Sequence, residues 1–132
     1  MWQPPQRPKA PPRFSPETFT STSSPAAKHH PASANTVRFS PCARTAWHSH
    51  SLGQTLHVTD GIGVVATRDS VIIMRAGDTV HTPPGEEHWH GALTDHFMSH
   101  LAMWEDDDAT WGAHVTDDEY AAATSADPRK EK

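Results

Sequence analysis

The sequence predicts an all-β fold, an antiparallel barrel or sandwich of short strands, on three observations. Short apolar runs recur between residues 36 and 104 and are separated by Gly, Pro and Asp at close intervals. Several runs alternate apolar and polar residues, as strands with one buried face do. Two histidine pairs, His48 with His50 and His88 with His90, have a spacing that directs both members to one face of a strand. We therefore expect one small barrel with imidazoles in its interior.

The first 34 residues differ in composition from the rest, and we expect them to be disordered. Eight of the 12 prolines precede residue 35, and this segment has neither a strand period nor a helix period. The barrel is accordingly predicted over residues 35–105. Its first strand begins near residue 36 and has Val37 and Phe39 on one face.

The later strands are predicted from the apolar runs between turn residues. They cover residues 54–59, 62–67, 71–75, 78–82, 88–93 and 97–104. Because side chains two apart share a face, Gln54 falls on the apolar face with Leu56, whereas His57 falls on the polar face. The same rule places His100 inside the barrel and leaves His81 ambiguous.

Residues 106–132 are predicted to form an acidic turn, a short helix and a polar tail. Thr116 and Glu119 have capping-box spacing, so the helix is expected to continue through Tyr120 to Ala123. We interpret the acidic run near residue 106 as a solvated turn, because it lacks the glycine and the spaced ligands of a calcium loop.

Composition restricts the classes of partner. The formal charge is −5 and no basic block is present, which argues against nucleic acid or an anionic membrane as a partner. Cys42 is the only cysteine, so an intrachain disulfide and a cysteine-based zinc site are both excluded. No apolar run approaches the ~20 residues of a membrane span, and no apolar segment follows Arg7 and Lys9 as in a secretory signal. We expect a cytoplasmic protein with a small-molecule substrate.

The 11 histidines are the strongest functional signal in the composition, since eight of them lie between His48 and His100. Neutral imidazole is the commonest metal ligand, and three imidazoles with one oxygen donor suit several first-row divalent metals. The alternative is a set of core histidines satisfied by hydrogen bonds. Two pairs at equal spacing, with Gln54 in register, favour the metal site over that alternative.

Two sequence motifs follow one another in this chain. Positions of the first motif are held by Cys42, His48, His50, Gln54 and Gly61. Positions of the second are held by Gly77, Pro83, Gly85, His88 and Ala92. Both motifs resemble those of the cupin superfamily. The resemblance covers residues 35–105 and implies a single cupin barrel, the double-stranded β-helix or jelly roll. Cys42 and Ala92 replace a glycine and an asparagine at structural positions, whereas Gln54 replaces a glutamate and would leave the full charge of a bound metal in place.

Four strings, ARTAWHSHSLGQTLHVTDGIG, PPGEEHWHGA, MSHLA and HVTDDEY, are similar to the bacterial cupin hydroxynitrile lyases, manganese enzymes that cleave or form cyanohydrins. This likeness implies one divalent metal, manganese first, with iron, zinc, nickel or cobalt as alternatives. The implied ligands are His48, His50, Gln54 and His88. It also implies that His100 is an acid/base, and His90 is a second catalytic candidate because it points inward. Small cupins commonly pair, so a homodimer or homotetramer is expected.

The residues are compatible with two other functions. An oxygen-dependent cupin of the dioxygenase type would commonly hold its metal with glutamate as well as histidine, which Gln54 disfavours. A non-catalytic cupin that binds a small ligand would need no acid/base group. The sequence shows no Ser-His-Asp pattern and no partner for Cys42, so any catalysis is expected to depend on the metal.

Overall fold

The computed structural model describes residues 19–23, 32–106 and 109–130. The strands in these ranges are β1 Phe19–Ser23, β2 Ala32–Phe39, β3 His48–Ser49, β4 Gln54–Thr67, β5 Val71–Arg75, β6 Thr79–Thr82, β7 His88–Ala92, β8 Met98–Glu105 and β9 Thr110–Trp111. Helix α1 spans Asp117–Thr124, and a 3-10 turn spans Pro128–Lys130. None of the helices in these ranges is both long and apolar enough to cross a membrane.

Strand β4 belongs to both sheets of the barrel. Its first half pairs with β6 and β8, and its second half pairs with β5 and β7, always antiparallel. The change of sheet falls at Gly61, where φ is 78°. A Cβ atom at this position would overlap the carbonyl oxygen of Phe97, so the bend requires glycine. The two predicted runs 54–59 and 62–67 are therefore one bent strand.

The two sheets enclose a core that is apolar except where histidines enter it. The first sheet has the order β1-β2-β8-β4-β6, and the second has the order β5-β4-β7-β3-β9. Apolar side chains from both sheets meet between them, among them Phe39, Leu56, Val58, Val65, Met74 and Met98. This arrangement confirms the predicted all-β barrel.

Helix α1 covers the outer face of the second sheet. Its N-cap Thr116 forms both bonds of the capping box with Glu119, which confirms the prediction from their spacing. The hydroxyl of Tyr120 donates to the Ala92 carbonyl oxygen at 2.6 Å, and the Arg44 guanidinium lies 4.3 Å from the centre of the Tyr120 ring. Apolar side chains of the helix and of this sheet form a second apolar cluster, which includes Trp89 and Tyr120.

The predicted limits of the barrel are too narrow at both ends. Strand β1 and the start of β2 are strands within the segment 1–34 that the sequence predicts to be disordered. The prediction is therefore wrong for residues 19–23 and 32–34, and the rest of that segment lies outside the described residues. The segment β1, FTSTS, has no apolar alternation, and it is a strand through backbone pairing with β2 from Phe19↔Phe39 to Ser23↔Asn35. Strand β9, two residues long, is likewise too short to produce a period.

Candidate metal centre

Three histidines converge inside the barrel. The Cα atoms of His48 on β3 and His88 on β7 are direct partners in an antiparallel pair, so both imidazoles enter from the same place in the second sheet. His50 follows β3, and its carbonyl oxygen accepts the backbone N–H groups of Gly53 (3.1 Å) and Gly85 (2.9 Å), which ties two turns to it. One ring nitrogen from each histidine lies within 4.8 Å of the other two. The three histidines are 5% exposed or less.

Gln54 brings an amide oxygen to the same point. It is the first residue of β4, it is 5% exposed, and its Oε1 lies 3.0 Å from His88 Nε2. Its side chain also contacts His48. Its backbone position is held by Thr82, whose hydroxyl donates to the Gln54 carbonyl oxygen at 3.1 Å. The structure thus brings together all four residues that the resemblance implies as ligands.

Hydrogen bonds to backbone carbonyls select the tautomers of two of these histidines. His48 Nδ1–H donates to the Ala46 carbonyl oxygen (2.9 Å), and His88 Nδ1–H donates to that of Glu86 (3.0 Å). A neutral imidazole carries one proton, so in both rings the lone pair is on Nε2. Metal-binding histidines are commonly oriented by such a bond from their second nitrogen. Both rings therefore have the tautomer that a metal on Nε2 needs.

The contact between His88 and Gln54 indicates that a cation could bind between their side chains. Burial lowers the pKa of His88, so this imidazole is neutral at pH 7. Its Nε2 lone pair then faces the Gln54 amide oxygen at 3.0 Å, and two acceptors at that distance repel. A cation bound by both atoms removes the repulsion. Metal–imidazole bonds are ~2.1 Å long, so two nitrogens on one ion lie at most ~4.2 Å apart. The three ring nitrogens lie within 4.8 Å of one another, so small side-chain shifts would bring them onto one ion. The residues fit a divalent metal.

The charge state of the cluster also suits a cation. Burial lowers the pKa of His48 well below its usual range, and the neighbouring His88 and His50 lower it further. The rings of His48 and His88 are 4.4 Å apart and those of His48 and His50 are 5.4 Å apart. Protonating one of these imidazoles would place a charge in a buried site beside the other two imidazoles, which is unfavourable. His48 and His88 are therefore uncharged ligands at pH 7.

His90 and His100 form a second pair beside the three histidines. His90 Nδ1 and His100 Nε2 share a hydrogen bond of 3.0 Å. The His90 ring lies 5.1 Å from that of His48 and stacks at 5.8 Å on that of His88, so His100 reaches the cluster through His90. Burial lowers the pKa of His90 well below its usual range and that of His100 to about 4. The remaining ring nitrogen of His90, Nε2, is buried without a hydrogen-bond partner in the described part of the chain.

Two half-buried tryptophans flank the buried histidines. The Trp104 ring lies 5.9 Å from that of His50, and the Trp111 ring lies 4.8 Å from that of His48 with a tilt of 35°. Trp111 belongs to β9, which the sequence prediction missed. Trp111 lies beyond the predicted barrel, where the sequence has no strand period. Its position next to His48 depends on the pairing of β9 with β3.

Two further histidines lie apart from the cluster. His57 is half-buried, and its Nδ1 is 2.8 Å from the hydroxyl oxygen of Thr79. His81 is exposed, and its Nδ1 is 3.0 Å from that of Thr55. The prediction that His57 leaves the interior is confirmed, and the ambiguity of His81 is resolved because Thr82 takes the buried position.

Known proteins are similar to this barrel in sequence. A family model described as Cupin domain matches residues 35–104. The chain is 48% identical over 88 residues to an (R)-mandelonitrile lyase from Granulicella tundricola, a match that covers 64% of this chain and 67% of the relative.

Solved structures resemble the chain over a greater length. The crystal structure of a cupin-like protein from Thermotoga maritima has a TM-score of 0.78 and 34% identity, and the match covers 89% of this chain and 93% of that one. A cupin 2 conserved barrel domain protein from Rhodopseudomonas palustris has a TM-score of 0.65 and 15% identity over 82% of this chain and 74% of that one, which shows the fold alone. With two sheets around a buried histidine cluster and a family match over most of the barrel, this chain belongs to the Cupin domain family.

Proposed function

We propose that this chain is a metal-dependent lyase of the hydroxynitrile lyase type, which cleaves cyanohydrins to an aldehyde and hydrogen cyanide or forms them in reverse. The observation that carries the proposal is a buried set of three histidines and one glutamine beside the His90–His100 pair. The 48% identity to an (R)-mandelonitrile lyase supports the same reaction class and suggests an aromatic cyanohydrin as substrate.

His48, His50, Gln54 and His88 would hold one divalent metal, manganese first, with iron, zinc, nickel or cobalt as alternatives. When bound, the metal would act as a Lewis acid that stabilises negative charge on the substrate oxygen. Gln54 contributes a neutral oxygen, whereas a glutamate would neutralise part of the metal's charge.

His90 is the group that would exchange the proton with the substrate. When its Nδ1–H donates to His100 Nε2, its own Nε2 carries the lone pair and has no other partner among the described residues. His90 Nε2 accepts the hydroxyl proton, the C–C bond breaks with its electron pair on cyanide, and the same nitrogen then protonates the cyanide. His100 acts through His90 and is a positioning residue, because burial keeps it neutral as the acceptor of that hydrogen bond.

The direct test is an assay of the metal-loaded protein with racemic mandelonitrile. We expect benzaldehyde release that requires the metal, that is lost in H90A, and that remains in H57A, whose histidine lies outside the cluster. Metal content is measured in each variant, so that loss of the acid/base is distinguished from loss of the metal. Full metal occupancy with no benzaldehyde release above buffer would reject the proposal, and oxygen uptake by the iron-loaded protein would point to dioxygenase-type chemistry instead.

We also propose that the protein is a homodimer or homotetramer. Strand β5 pairs only with β4 within the described ranges, and its side chains Val71 and Ile72 are 37% and 46% exposed. An apolar edge strand of this kind favours pairing with another chain. Light scattering on the eluted protein measures the mass, and a monomer at working concentration would reject this part.

A further inference from the structure

The indole N–H of Trp111 is a buried donor that nothing in the described part of the chain satisfies. The residue as a whole is half-buried, yet its Nε1 atom has almost no accessible surface and no hydrogen-bond partner there. The ring lies over that of His48, one of the proposed ligands, at 4.8 Å. Burying an indole N–H without an acceptor costs free energy, so such groups usually have a partner. A bound ligand is the simplest source of that acceptor.

Backbone contacts hold Trp111 in this place. The Cα atoms of Trp111 and His48 are partners in the β9–β3 pair, so both side chains project to the same face. Beyond the strand, the Gly112 N–H donates to the Trp47 carbonyl oxygen at 2.7 Å, and the Trp47 N–H donates to the Ala113 carbonyl oxygen at 2.9 Å. The indole is therefore fixed to the same strand that carries His48. A donor placed this firmly can orient a ligand.

The chemistry of a cyanohydrin indicates which atom the indole would meet. The substrate has three polar parts: the hydroxyl oxygen, the hydroxyl proton and the nitrile nitrogen. Under the proposed function, the four ligands would hold a metal that polarises the oxygen, and His90 takes the proton. The nitrile nitrogen, an acceptor only, is left without a protein partner, and Trp111 Nε1–H is a donor only.

We propose that Trp111 Nε1–H donates to the nitrile nitrogen of the substrate and to the leaving cyanide, so that Trp111 forms a nitrile subsite; this inference rests on the proposed lyase function. As the C–C bond breaks, negative charge moves onto cyanide, and a preorganised donor at its nitrogen stabilises that charge. The subsite would also discriminate against analogues that carry an alkyl group in place of the nitrile, because these leave the indole N–H unpaired.

The first experiment measures synthesis from benzaldehyde and cyanide by W111F, which retains an aromatic ring over His48 but lacks the N–H. We expect the KM for cyanide to rise about fivefold, with the KM for benzaldehyde within about twofold of wild type, as the loss of one neutral hydrogen bond predicts. W104F is the matched control, because it changes the other flanking indole, whose Nε1 is not a buried unpaired donor. Its KM for cyanide should stay within about twofold of wild type.

The second experiment needs no turnover and no variant. The ¹⁵N-labelled, zinc-loaded wild-type protein is titrated with 2-methoxy-2-phenylacetonitrile, which keeps the nitrile but has no hydroxyl proton to lose. The Trp111 indole proton should shift downfield, and it should not do so with 1-methoxy-1-phenylpropane, in which ethyl replaces the nitrile. This titration tests the nitrile subsite even if W111F does not fold.

The outcomes separate the two proposals. Wild-type protein that has its metal but does not cleave mandelonitrile overturns the lyase function and the nitrile subsite together. An active wild type with an unchanged KM for cyanide in W111F, or an unmoved Trp111 indole signal with the nitrile ether, overturns the subsite and leaves the lyase function standing.

Discussion

The two faces of strand β7 are equally buried but chemically opposite. All five of its residues are buried. The inner face presents His88 and His90 to the barrel interior, where they contact other imidazoles. The outer face presents Trp89 to helix α1, where its ring lies 5.8 Å from that of Tyr120. One short strand thus supplies both a polar site and an apolar core.

Stability and function are associated with opposite faces of β7. Trp89 loses a large apolar surface from water and leaves no polar atom unpaired among those described, so its burial stabilises the protein. His90 leaves a buried ring nitrogen without a partner in the ranges that the structure describes, and burial lowers its pKa, so its place in the core costs free energy. Proteins commonly retain residues that lower stability where function requires them. The inner face is therefore where a ligand is expected.

The largest expected effect is on metal binding, in H88L. Changes in groups that merely orient metal ligands cost 10–100-fold in affinity, so the loss of a direct ligand should lower metal affinity and lyase rate by more than about 100-fold. The metal-free protein should unfold at the same temperature as wild type or above it, because leucine replaces a buried imidazole whose Nε2 faces another acceptor, the Gln54 amide oxygen. Elemental analysis and calorimetry with and without chelator measure the two quantities. Metal retained at wild-type stoichiometry would show that residue 88 is not a ligand.

On the outer face, W89A should destabilise the protein by about 3–5 kcal/mol, the usual cost of truncating a large buried aromatic residue. The milder W89F keeps a folded chain for comparison and should lose less. Urea unfolding gives the free energy, and metal per folded chain should stay at the wild-type value. A change below ~1 kcal/mol in W89A would mean that the helix contributes little to holding this sheet.

The next effect is a pH dependence of stability carried by His100. Its pKa in the fold is about 4 against 6.5 in the unfolded chain, so above pH 6.5 it is neutral in both states and the fold keeps its full stability. As the pH falls from 6.5 towards 4, only the unfolded state gains a proton, and about 3 kcal/mol of stability is lost. Below pH 4 both states are protonated and this loss ends. The titratable group that faces His100 is His90.

Urea unfolding of the metal-free protein between pH 7 and pH 4 measures this slope. H100L removes the group with a side chain of similar size, so its stability should fall less steeply over the same range. Identical slopes in H100L and wild type would contradict a neutral, buried His100.

The smallest effect concerns Cys42, which stands where cupins commonly have glycine. Its φ is 71°, a conformation that strains a side chain by about 1–2 kcal/mol. C42G relieves this strain but gives the unfolded chain more conformational entropy, so a net gain of about 0.5–1 kcal/mol is expected. Thermal unfolding measures it, and a clear loss of stability would show that the contact of the Cys42 thiol with the Thr94 carbonyl oxygen (3.7 Å) outweighs the strain.

Much of the barrel could be predicted because its signals are local. Alternation along β4 and β8 records which side chains face the core, and the capping box of Thr116 and Glu119 depends on residues three apart. The strand β1 could not be predicted, because FTSTS carries no apolar pattern and its pairing with β2 uses backbone groups that every residue has. The bend in β4 at Gly61 was predicted as a break, since a glycine that bends a strand and one that ends it look alike in sequence.

The sequence by itself determined that His48 and His50, and likewise His88 and His90, share a side, because side-chain direction along a strand follows from spacing alone. Tertiary structure decided the rest of the candidate site. The hydrogen bond between His90 and His100 joins strands of opposite sheets, and Trp111 reaches His48 through the pairing of β9 with β3. Contacts between segments far apart in the chain depend on how the two sheets pack against each other. The spacing of residues within one strand does not predict that packing.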